Sequence, residues 1–283
     1  MPCRNAAATI ADQLQALAVQ QEPEPWELIV ADNGSTDATR EVVEAFRHRF
    51  HALRIVDASA RVGRPHACNA AVRVSRSAAL AFCDADDEVA PGWVRAMSAA
   101  LDTHPFVAGR LDIEKLNEPW ARARPWPQQH GLQRLPYPPR LPHAAGCNLG
   151  VRRELHDAVG GFDESLARLQ DTDYCFRLQL AGVGLHYAPE AVVHYRLRHT
   201  LRGLFEQSRA WGRYNVVLYV KYRQPDTRLA RPWRVYLRRW VRIVRLLRHL
   251  DDRSKRATCV ELLGWQVGLL EGALRHRVPP VPI

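Results

Sequence analysis

The sequence predicts an α/β fold with a mainly parallel sheet over the first two thirds of the chain, followed by basic helices. Helical and strand-like patterns alternate over residues 7–82. Two predicted strands end in acidic loops. Further along the chain, the segment between Arg196 and Arg256 contains about eighteen lysines and arginines but only four acidic residues. Alternating helices and strands imply crossover connections, which set neighbouring strands parallel and place helices on the faces of the sheet.

The first elements follow from the spacing of apolar residues. A helix is predicted over residues 7–20, because Ile10, Leu14 and Leu17 recur at helical spacing. Apolar runs that end at turn residues predict the strands that follow, with helices between them. The strands are predicted at residues 26–31, 53–56 and 78–82, and the helices at residues 38–48 and 67–75.

The second half of the sheet part is less regular. Residues 117–143 are rich in Pro, Trp and Arg and predict a long loop over the sheet edge, as a lid or an acceptor wall. A disordered insertion is the alternative. A helix is predicted from Gln170 to Leu180, with Gly182 just past its end. Strands are predicted at residues 144–151, 183–187 and 191–195.

Composition limits the class of protein. The chain has 283 residues, of which 47% are hydrophobic and 25% charged, as in ordinary globular domains. It has no apolar run of about 18 residues and no signal-peptide pattern, so we expect no membrane span. Its six cysteines form no CxxC pair, which favours reduced thiols in the cytoplasm. A net charge of +10 favours an anionic partner. The basic region contains no recognised nucleic-acid-binding module, which argues against nucleic acid as that partner.

The acidic run at residues 84–88 is the main candidate for a functional site. Asp84 and Asp86 are two apart, so in an extended chain they face the same side and can share a hard cation with a phosphate. The alternative is a solvated acidic turn that caps the next helix. The loop that begins at Asp32 also follows a strand. Ligands of open sheets bind beyond the carboxyl ends of the strands, which favours one site at this edge.

Seven motifs in this order resemble family 2 glycosyltransferases, which have a GT-A fold. They are PCRNAAATI, ELIVADNGSTDAT, RVGRPHACNAAV, LAFCDADD, GGFDES, QDTDYCFRLQLAG and the His of VVHYR. The resemblance covers residues 1–200 and implies a GT-A domain with a Rossmann-like mixed sheet there. Residues 201–283 then form a helical, basic appendage. The resemblance also implies transfer of a sugar from a nucleotide diphosphate to an acceptor hydroxyl, with inversion and with Mg²⁺ or Mn²⁺.

The resemblance also assigns roles to individual residues. Asp32 matches the contact to the nucleoside base, with Asn33 and Ser35 in the same donor-binding loop, and Arg64 is a further donor contact. Asp84 and Asp86 match the DXD pair, the first toward the ribose or metal and the second on the metal. His194 falls where some members add a metal or diphosphate contact. Asp171 matches the catalytic base, and Gln170 is the neighbouring acceptor contact.

Several alternatives stay open at this point. A histidine in a strand is often a packed residue, and Asp171 at a helix start has a simpler role as a cap, unless Asp173 is the cap. Gln170 replaces the usual Glu of the family, and the first strand is short, since the chain begins at Met1. We expect that shortness to leave neighbouring ladders and apolar faces uncovered. A catalytically silent nucleotide-sugar-binding or scaffold protein of the same fold is therefore the rival interpretation. A nucleotidyltransferase is a second rival. That class needs a phosphate-binding Gly/Lys-rich loop near the start of the chain, and this sequence has no such loop there.

The basic C-terminal part predicts two helices, at residues 201–222 and 233–250. In the second, apolar residues including Trp233, Trp240 and Val244 share one face, and arginines lie largely elsewhere. This pattern is typical of helices at an anionic membrane surface. A peripheral position on the inner face of the membrane would suit a lipid-linked acceptor. The alternative is that these helices pack on the catalytic domain or on a second subunit.

Overall fold

A computed structural model describes residues 1–22, 24–123, 127–224 and 232–281. The chain forms two compact units. The sheet unit comprises Met1–Lys115, Pro127–Gln133 and His143–Arg196. The helical unit comprises Leu116–Trp126, Arg134–Pro142 and Leu197–Ile283, so it takes two segments from the middle of the chain as well as the C-terminal part.

The elements alternate as the sequence predicts. The strands are β1 (Pro2–Cys3), β2 (Leu28–Asp32), β3 (Leu53–Asp57), β4 (Ala79–Phe82), β5 (Glu88–Val89), β6 (Phe106–Asp112), β7 (Gln133–Arg134), β8 (Pro142–His143), β9 (Leu149–Arg152) and β10 (His186–His194). The helices are α1 (Ile10–Ala18), α2 (Thr39–Ala45), α3 (Arg64–Val74), α4 (Trp93–Thr103), α5 (Pro119–Arg122), α6 (Arg153–Ala158), α7 (Gln170–Leu180), α8 (Leu201–Tyr222), α9 (Pro232–Leu246) and α10 (Arg253–His276).

The α/β class is confirmed, and the sheet unit contains two main sheets. The first has the order β1-β2-β3 and is parallel throughout. The second has the order β4-β9-β6-β10-β5 and is mixed. In it β6 and β10 are parallel, whereas β9 runs antiparallel to both β4 and β6. The expectation of a mainly parallel arrangement was therefore wrong for this sheet, because β9 enters between its neighbours from the opposite end.

Three local predictions differ from the structure. The strand expected at residues 144–151 begins only at Leu149, because Gly146–Asn148 form a 3₁₀ turn. The two strands expected at residues 183–187 and 191–195 are the single strand β10, which has an irregularity between Ala188 and Val192. The loop expected at residues 117–143 contains α5, a 3₁₀ turn and the short pair β7 and β8. Its residues 124–126 lie outside the described residues.

Helix α7 is held against the second sheet by an aromatic cluster. The buried ring of Tyr174 stacks on Phe162 with centroids 4.3 Å apart and meets Phe106 of β6 edge-on at 6.0 Å. The Nδ1 atom of His156 lies 2.9 Å from the Tyr174 hydroxyl. Burial of rings this large dominates the energetics of a core. The cluster therefore fixes α7, and with it the residues at the start of that helix.

An apolar slot of about 420 Å³ lies beside Met1, between β2 and β4. Leu28 and Ile29 of β2 line one side, and Leu80 and Phe82 of β4 line the other. The amino group of Met1 is buried here and donates to the Ile29 carbonyl at 2.8 Å. β1 has only two residues.

The helical unit is built on the close approach of α8 and α10. Gly264, Gly268 and Gly272 recur every four residues along one face of α10. A Cβ atom on Gly264 would lie 2.6 Å from the carbonyl oxygen of Phe205 in α8, and one on Gly268 would lie even closer to that of Arg209. Only glycine allows the two backbones to come this near. Among the described helices, none is both long and apolar enough to cross a membrane.

The contact between α8 and α10 predicts the effect of a single methyl group. Gly268→Ala places its Cβ against the Arg209 carbonyl, where neither backbone can yield without moving a helix. We expect the free energy of unfolding, measured by urea denaturation, to fall by about 1–3 kcal/mol. Gly184→Ala is the control, because its Cβ would meet no atom within 4 Å. Equal stability of Gly268→Ala and wild type would contradict this packing.

Candidate functional site

The acidic loop after β4 is joined to the start of α3 by an ion pair. The Oδ1 atom of Asp84 accepts from Nε of Arg64 at 2.9 Å, and Nη2 of the same guanidinium lies 2.8 Å away. Arg64 is the first residue of α3, directly after Gly63, whose φ of 151° glycine adopts readily. Both side chains are mostly buried, with 19% and 26% exposed. An ion pair screened this little by solvent holds its two groups more firmly than a surface pair.

Gly146 connects this ion pair to the predicted catalytic base. Its backbone N–H donates to Oδ2 of Asp171 at 2.9 Å. A Cβ on Gly146 would lie 2.6 Å from Nη1 of Arg64, so the guanidinium packs directly on the glycine. Burial disfavours the charge of Arg64, but the carboxylates of Asp84 and Asp171 are among the groups that raise its pKa above its usual range. Asp84, Arg64, Gly146 and Asp171 thus form one connected group, here called the carboxylate bridge.

Asp171 lies in the first turn of α7. Its Oδ1 accepts from the N–H of Thr172 at 2.8 Å, so both carboxylate oxygens take a backbone hydrogen bond. Neither Asp171 nor Asp173 is the N-cap of the helix, because Leu169 occupies that position without a side-chain hydrogen bond. Asp173 pairs with Arg177 one turn later at 2.8 Å. Gln170, the first residue of α7, is buried with 6% of its surface exposed.

Asp87 is the most buried acid of the loop, with 1% exposed. Its Oδ1 accepts from the backbone N–H of Arg196 at 2.8 Å. Burial, and then the charges of Asp86 and Asp84, raise the pKa of Asp87 well above its ordinary value. Carboxylate atoms of Asp84 and Asp87 and the Cys147 sulfur lie within 4.8 Å of one another. Burial also raises the pKa of the Cys147 thiol, so carboxylate oxygens are the hard ligands of this group.

The other predicted metal ligands, Asp86 and His194, have protein partners. The Asp86 carbonyl accepts from Nε of Arg196 at 2.8 Å, and its side chain is half-buried. His194 ends β10 and pairs in register with Glu88 at the end of the acidic run. Its Nδ1 lies 3.4 Å from Oδ1 of Asp112. In the described chain, neither Asp86 nor His194 is part of the cluster of Asp84, Asp87 and Cys147.

The loop after β2 contains three predicted donor contacts, and their side chains make different hydrogen bonds. Asp32 is buried at 3% exposure, and its Oδ1 accepts from the N–H of Ser35 at 3.0 Å. The Asn33 amide donates to the carbonyls of Ala58 and Arg61 and accepts from the N–H of Gly63. These bonds use the whole amide group, so Asn33 holds the loop that leads into α3. The Ser35 hydroxyl accepts from the N–H of Asn5 at 3.0 Å.

Sequence reasoning missed three residues of the site. Asp87 was counted in the acidic run, but its side chain accepts a hydrogen bond from the backbone of Arg196, 109 positions away. Gly146 stood in a stretch that we predicted to be a strand, whereas the structure places the Arg64 guanidinium on it. No local pattern marks Arg196, and the small residues at 144–146 were the only sequence signal for Gly146.

The sequence model of one family, described as "Glycosyl transferase family 2", matches residues 1–160, which is more than half of the chain. The chain belongs to glycosyl transferase family 2. The resemblance inferred from the motifs is thereby confirmed.

Two relatives and one solved structure are similar to this family 2 member. It is 28% identical to glycosyltransferase AglE of Haloferax volcanii over 68% of this chain and 64% of AglE. It is 24% identical to the succinoglycan biosynthesis protein ExoA of Rhizobium meliloti over 79% of this chain and 70% of ExoA. The chain thus spans less than two thirds of the length of AglE.

The fold is similar to that of the mannosyltransferase PcManGT from Pyrobaculum calidifontis, solved in complex with GDP-Man and Mn²⁺. The TM-score is 0.61 with 19% sequence identity, over 97% of this chain and 73% of PcManGT. At this identity the likeness concerns the fold, and it confirms the expected GT-A architecture of this family 2 transferase.

The raised pKa of Asp87 predicts a dependence of stability on pH. Above about pH 4, where an unfolded aspartate loses its proton, the folded protein binds more protons at Asp87 than the unfolded chain does. The free energy of unfolding therefore falls as the pH rises through this range. Asp87→Asn cannot ionise, and its amide oxygen can still accept from Arg196. We expect this variant to lose less stability than wild type between about pH 5 and pH 8.

The measurement is urea denaturation at several pH values in the presence of EDTA. Asp102→Asn serves as the control, because Asp102 is exposed and its substitution removes a charge without changing the buried cluster. An Asp87→Asn curve parallel to that of wild type would contradict a protonated or poorly ionised Asp87.

Proposed function

We propose that this chain is a divalent-metal-dependent, inverting glycosyltransferase. It moves a sugar from a nucleotide-diphosphate donor to a hydroxyl of a carbohydrate or lipid-linked acceptor. The observation that carries the proposal is the carboxylate bridge, since it joins the predicted donor-side carboxylate Asp84 to the predicted base Asp171. Two carboxylates with separate roles in one site are what this reaction needs.

The donor half rests on the loops at the strand ends. Asp32 is positioned by the Ser35 N–H for a nucleoside contact, and Arg64 offers a guanidinium to a diphosphate. Mg²⁺ or Mn²⁺ would be held by Asp84 with Asp86, and the oxygens of Asp84 and the nearby Asp87 suit such a hard cation. When bound, the cation supplies stabilisation of the negative charge that develops on the leaving diphosphate. PcManGT, solved with GDP-Man and Mn²⁺, supports the proposal of a nucleotide-sugar donor and a divalent cation.

The acceptor half rests on Asp171. A sugar hydroxyl is a poor nucleophile, so a carboxylate within hydrogen-bond reach must take its proton as the new bond forms. Inversion places this base opposite the leaving group, and no enzyme nucleophile is needed. The N–H groups of Gly146 and Thr172 fix the orientation of the carboxylate. Gln170 beside it keeps a hydrogen-bonding group for the acceptor.

The acceptor we propose is an envelope glycan or a lipid-linked sugar, met on the inner face of a membrane. Support comes from the relative ExoA, which is named for the biosynthesis of succinoglycan. Further support comes from the basic helical unit, whose charge suits an anionic surface.

Donor binding is tested by thermal unfolding of the protein with a panel of nucleotide-diphospho-sugars, each with and without Mn²⁺. For the correct donor at about 100 times its dissociation constant, we expect the melting temperature to rise by about 5–10 °C. Asp86→Ala should lose the Mn²⁺-dependent part of that rise and the Mn²⁺-dependent hydrolysis of the donor. Binding that needs no metal and gives no turnover would instead favour the catalytically silent alternative.

The role of the base is tested by Asp171→Asn. Asparagine keeps the shape and, through its single side-chain oxygen, can accept one of the two backbone hydrogen bonds, but it cannot take a proton. We expect transfer to fall about 10²–10⁴-fold while the dissociation constant of the donor stays the same. Asp157→Asn, an exposed acid on α6, is the matched control. Unchanged transfer by Asp171→Asn would rule out this residue as the base.

A further inference from the structure

Helix α9 buries one apolar face within the helical unit. Tyr236 and Ile243 are buried, with 7% and 5% exposed. The backbone carbonyl of Tyr236 accepts from Nε2 of Gln266 in α10 at 2.7 Å, and its hydroxyl lies 3.4 Å from the Gln266 carbonyl. An ordinary amphipathic helix needs one apolar stripe to be covered, and in α9 the contact with α10 already covers one.

A second apolar face of α9 is exposed. Its side chains recur every three or four residues, and between 51% and 58% of each is exposed. With about 100° per residue, they span a stripe that lies next to the two buried residues, with its centre roughly 90° around the helix from them. We call this the open stripe, and it consists of Trp233, Leu237, Val241 and Val244 of α9 and of Leu247 at the start of the 3₁₀ turn that follows. A contiguous exposed apolar surface of this kind marks an interaction site.

A row of exposed arginines borders the open stripe on the side away from the α10 contact. The row consists of Arg234, Arg238, Arg242, Arg245 and Arg248. The sequence of α9 contains no acidic residue. Around the helix the order is therefore a face covered by α10, the open stripe, and then the arginine row. A partner that covers both surfaces must offer apolar groups to the open stripe and negative charge to the arginine row.

Among the candidate partners, an anionic bilayer fits both surfaces. A symmetric second copy would place the open stripe on its own counterpart and bring two arginine rows together, which like charges oppose. Nucleic acid would satisfy the arginines but would leave the aliphatic stripe in water. A bilayer surface takes aliphatic side chains into its acyl boundary and Trp at its interface, and its anionic headgroups meet the arginines.

We propose that α9 docks on an anionic membrane surface, with the open stripe inserted at the headgroup boundary and the arginine row on lipid phosphates. The proposed function gives this docking its purpose, because a lipid-linked acceptor lies at the same surface. The docking itself rests only on α9. Its failure and a failure of the proposed transfer are therefore distinguishable.

The test is co-sedimentation of the full chain with vesicles of phosphatidylcholine alone or of phosphatidylcholine and phosphatidylglycerol in equal parts. We expect binding to the mixed vesicles that weakens as salt is added. The double variant Leu237→Glu/Val244→Glu changes two exposed side chains and should lose this binding. Leu274→Glu in α10 is the matched control, since Leu274 is 71% exposed in the same unit and outside the open stripe. It should bind like wild type.

The arginine row is tested separately. Arg238→Gln/Arg242→Gln should bind the mixed vesicles about 30-fold more weakly, since each basic residue at such a surface contributes a similar increment. Arg275→Gln, an exposed arginine of α10, is its control. Equal binding of wild type and Leu237→Glu/Val244→Glu to the mixed vesicles would overturn the proposal. A dimer in solution that this variant dissociates, without vesicle binding by wild type, would also overturn it and assign the open stripe to a second copy.

Transfer to a soluble acceptor keeps the two hypotheses apart. Leu237→Glu/Val244→Glu should retain this activity, because neither residue belongs to the carboxylate bridge. Loss of vesicle binding with full transfer to a soluble acceptor supports the docking proposal. Loss of both would indicate a damaged fold, which circular dichroism and thermal unfolding of the same variant detect. Less disruptive Leu237→Ser/Val244→Ser then repeats the test, and unchanged vesicle binding by that variant would overturn the proposal.

Discussion

The guanidinium group of Arg64 lies between the two carboxylates on which the proposed chemistry depends. It binds Asp84, packs on Gly146 and feels the charge of Asp171, whose orientation the Gly146 N–H fixes. Each contact needs a specific local structure. Gly63 turns the chain into α3, the 3₁₀ turn at Gly146–Asn148 presents the N–H, and the aromatic cluster around Tyr174 fixes α7. The position of Arg64 is thus the constraint that makes three separate segments into one site.

The acidic loop is stabilised by a second, independent contact. Asp87 is held by the N–H of Arg196, and Arg196 also binds the Asp86 carbonyl. Burial of an acid with a raised pKa weakens the fold at neutral pH, so this arrangement costs stability near the proposed metal ligands. Local conflict of this kind is typical of functional sites, where the sequence satisfies chemistry rather than packing.

Local sequence patterns were sufficient for elements with strong periodicity or clear punctuation. The start of α7 at Gln170, its end at Leu180 and the bounds of α8 were predicted correctly, because polar residues begin these helices and breakers follow them. Helix α10 was missed. Its glycines lower helix propensity, and their purpose appears only when α8 lies against them. Strand β6, in the centre of the second sheet, was missed too, since its apolar run is short and contains Gly109.

The site was predictable to the extent that motifs mark the ends of strands. Asp32, Asp84 and Asp171 were chosen because they follow strands or open a helix, and a family resemblance gave them roles. The contacts of the carboxylate bridge were not predictable, because they join separate elements: Arg64 binds Asp84, 20 positions away, and Gly146 binds Asp171, 25 positions away. Asn33 illustrates the difference, since its position in the motif suggested the donor while its hydrogen bonds hold the loop before α3.

The most direct measurement is a crystal structure of the protein with Mn²⁺ and a nucleotide-diphospho-sugar that stabilises it. The account predicts the diphosphate beside Arg64, the cation on Asp84, and the carboxylate of Asp171 on the opposite side of the sugar ring. A nucleotide bound elsewhere, or a sugar whose reacting carbon is shielded from Asp171 by protein, would contradict it.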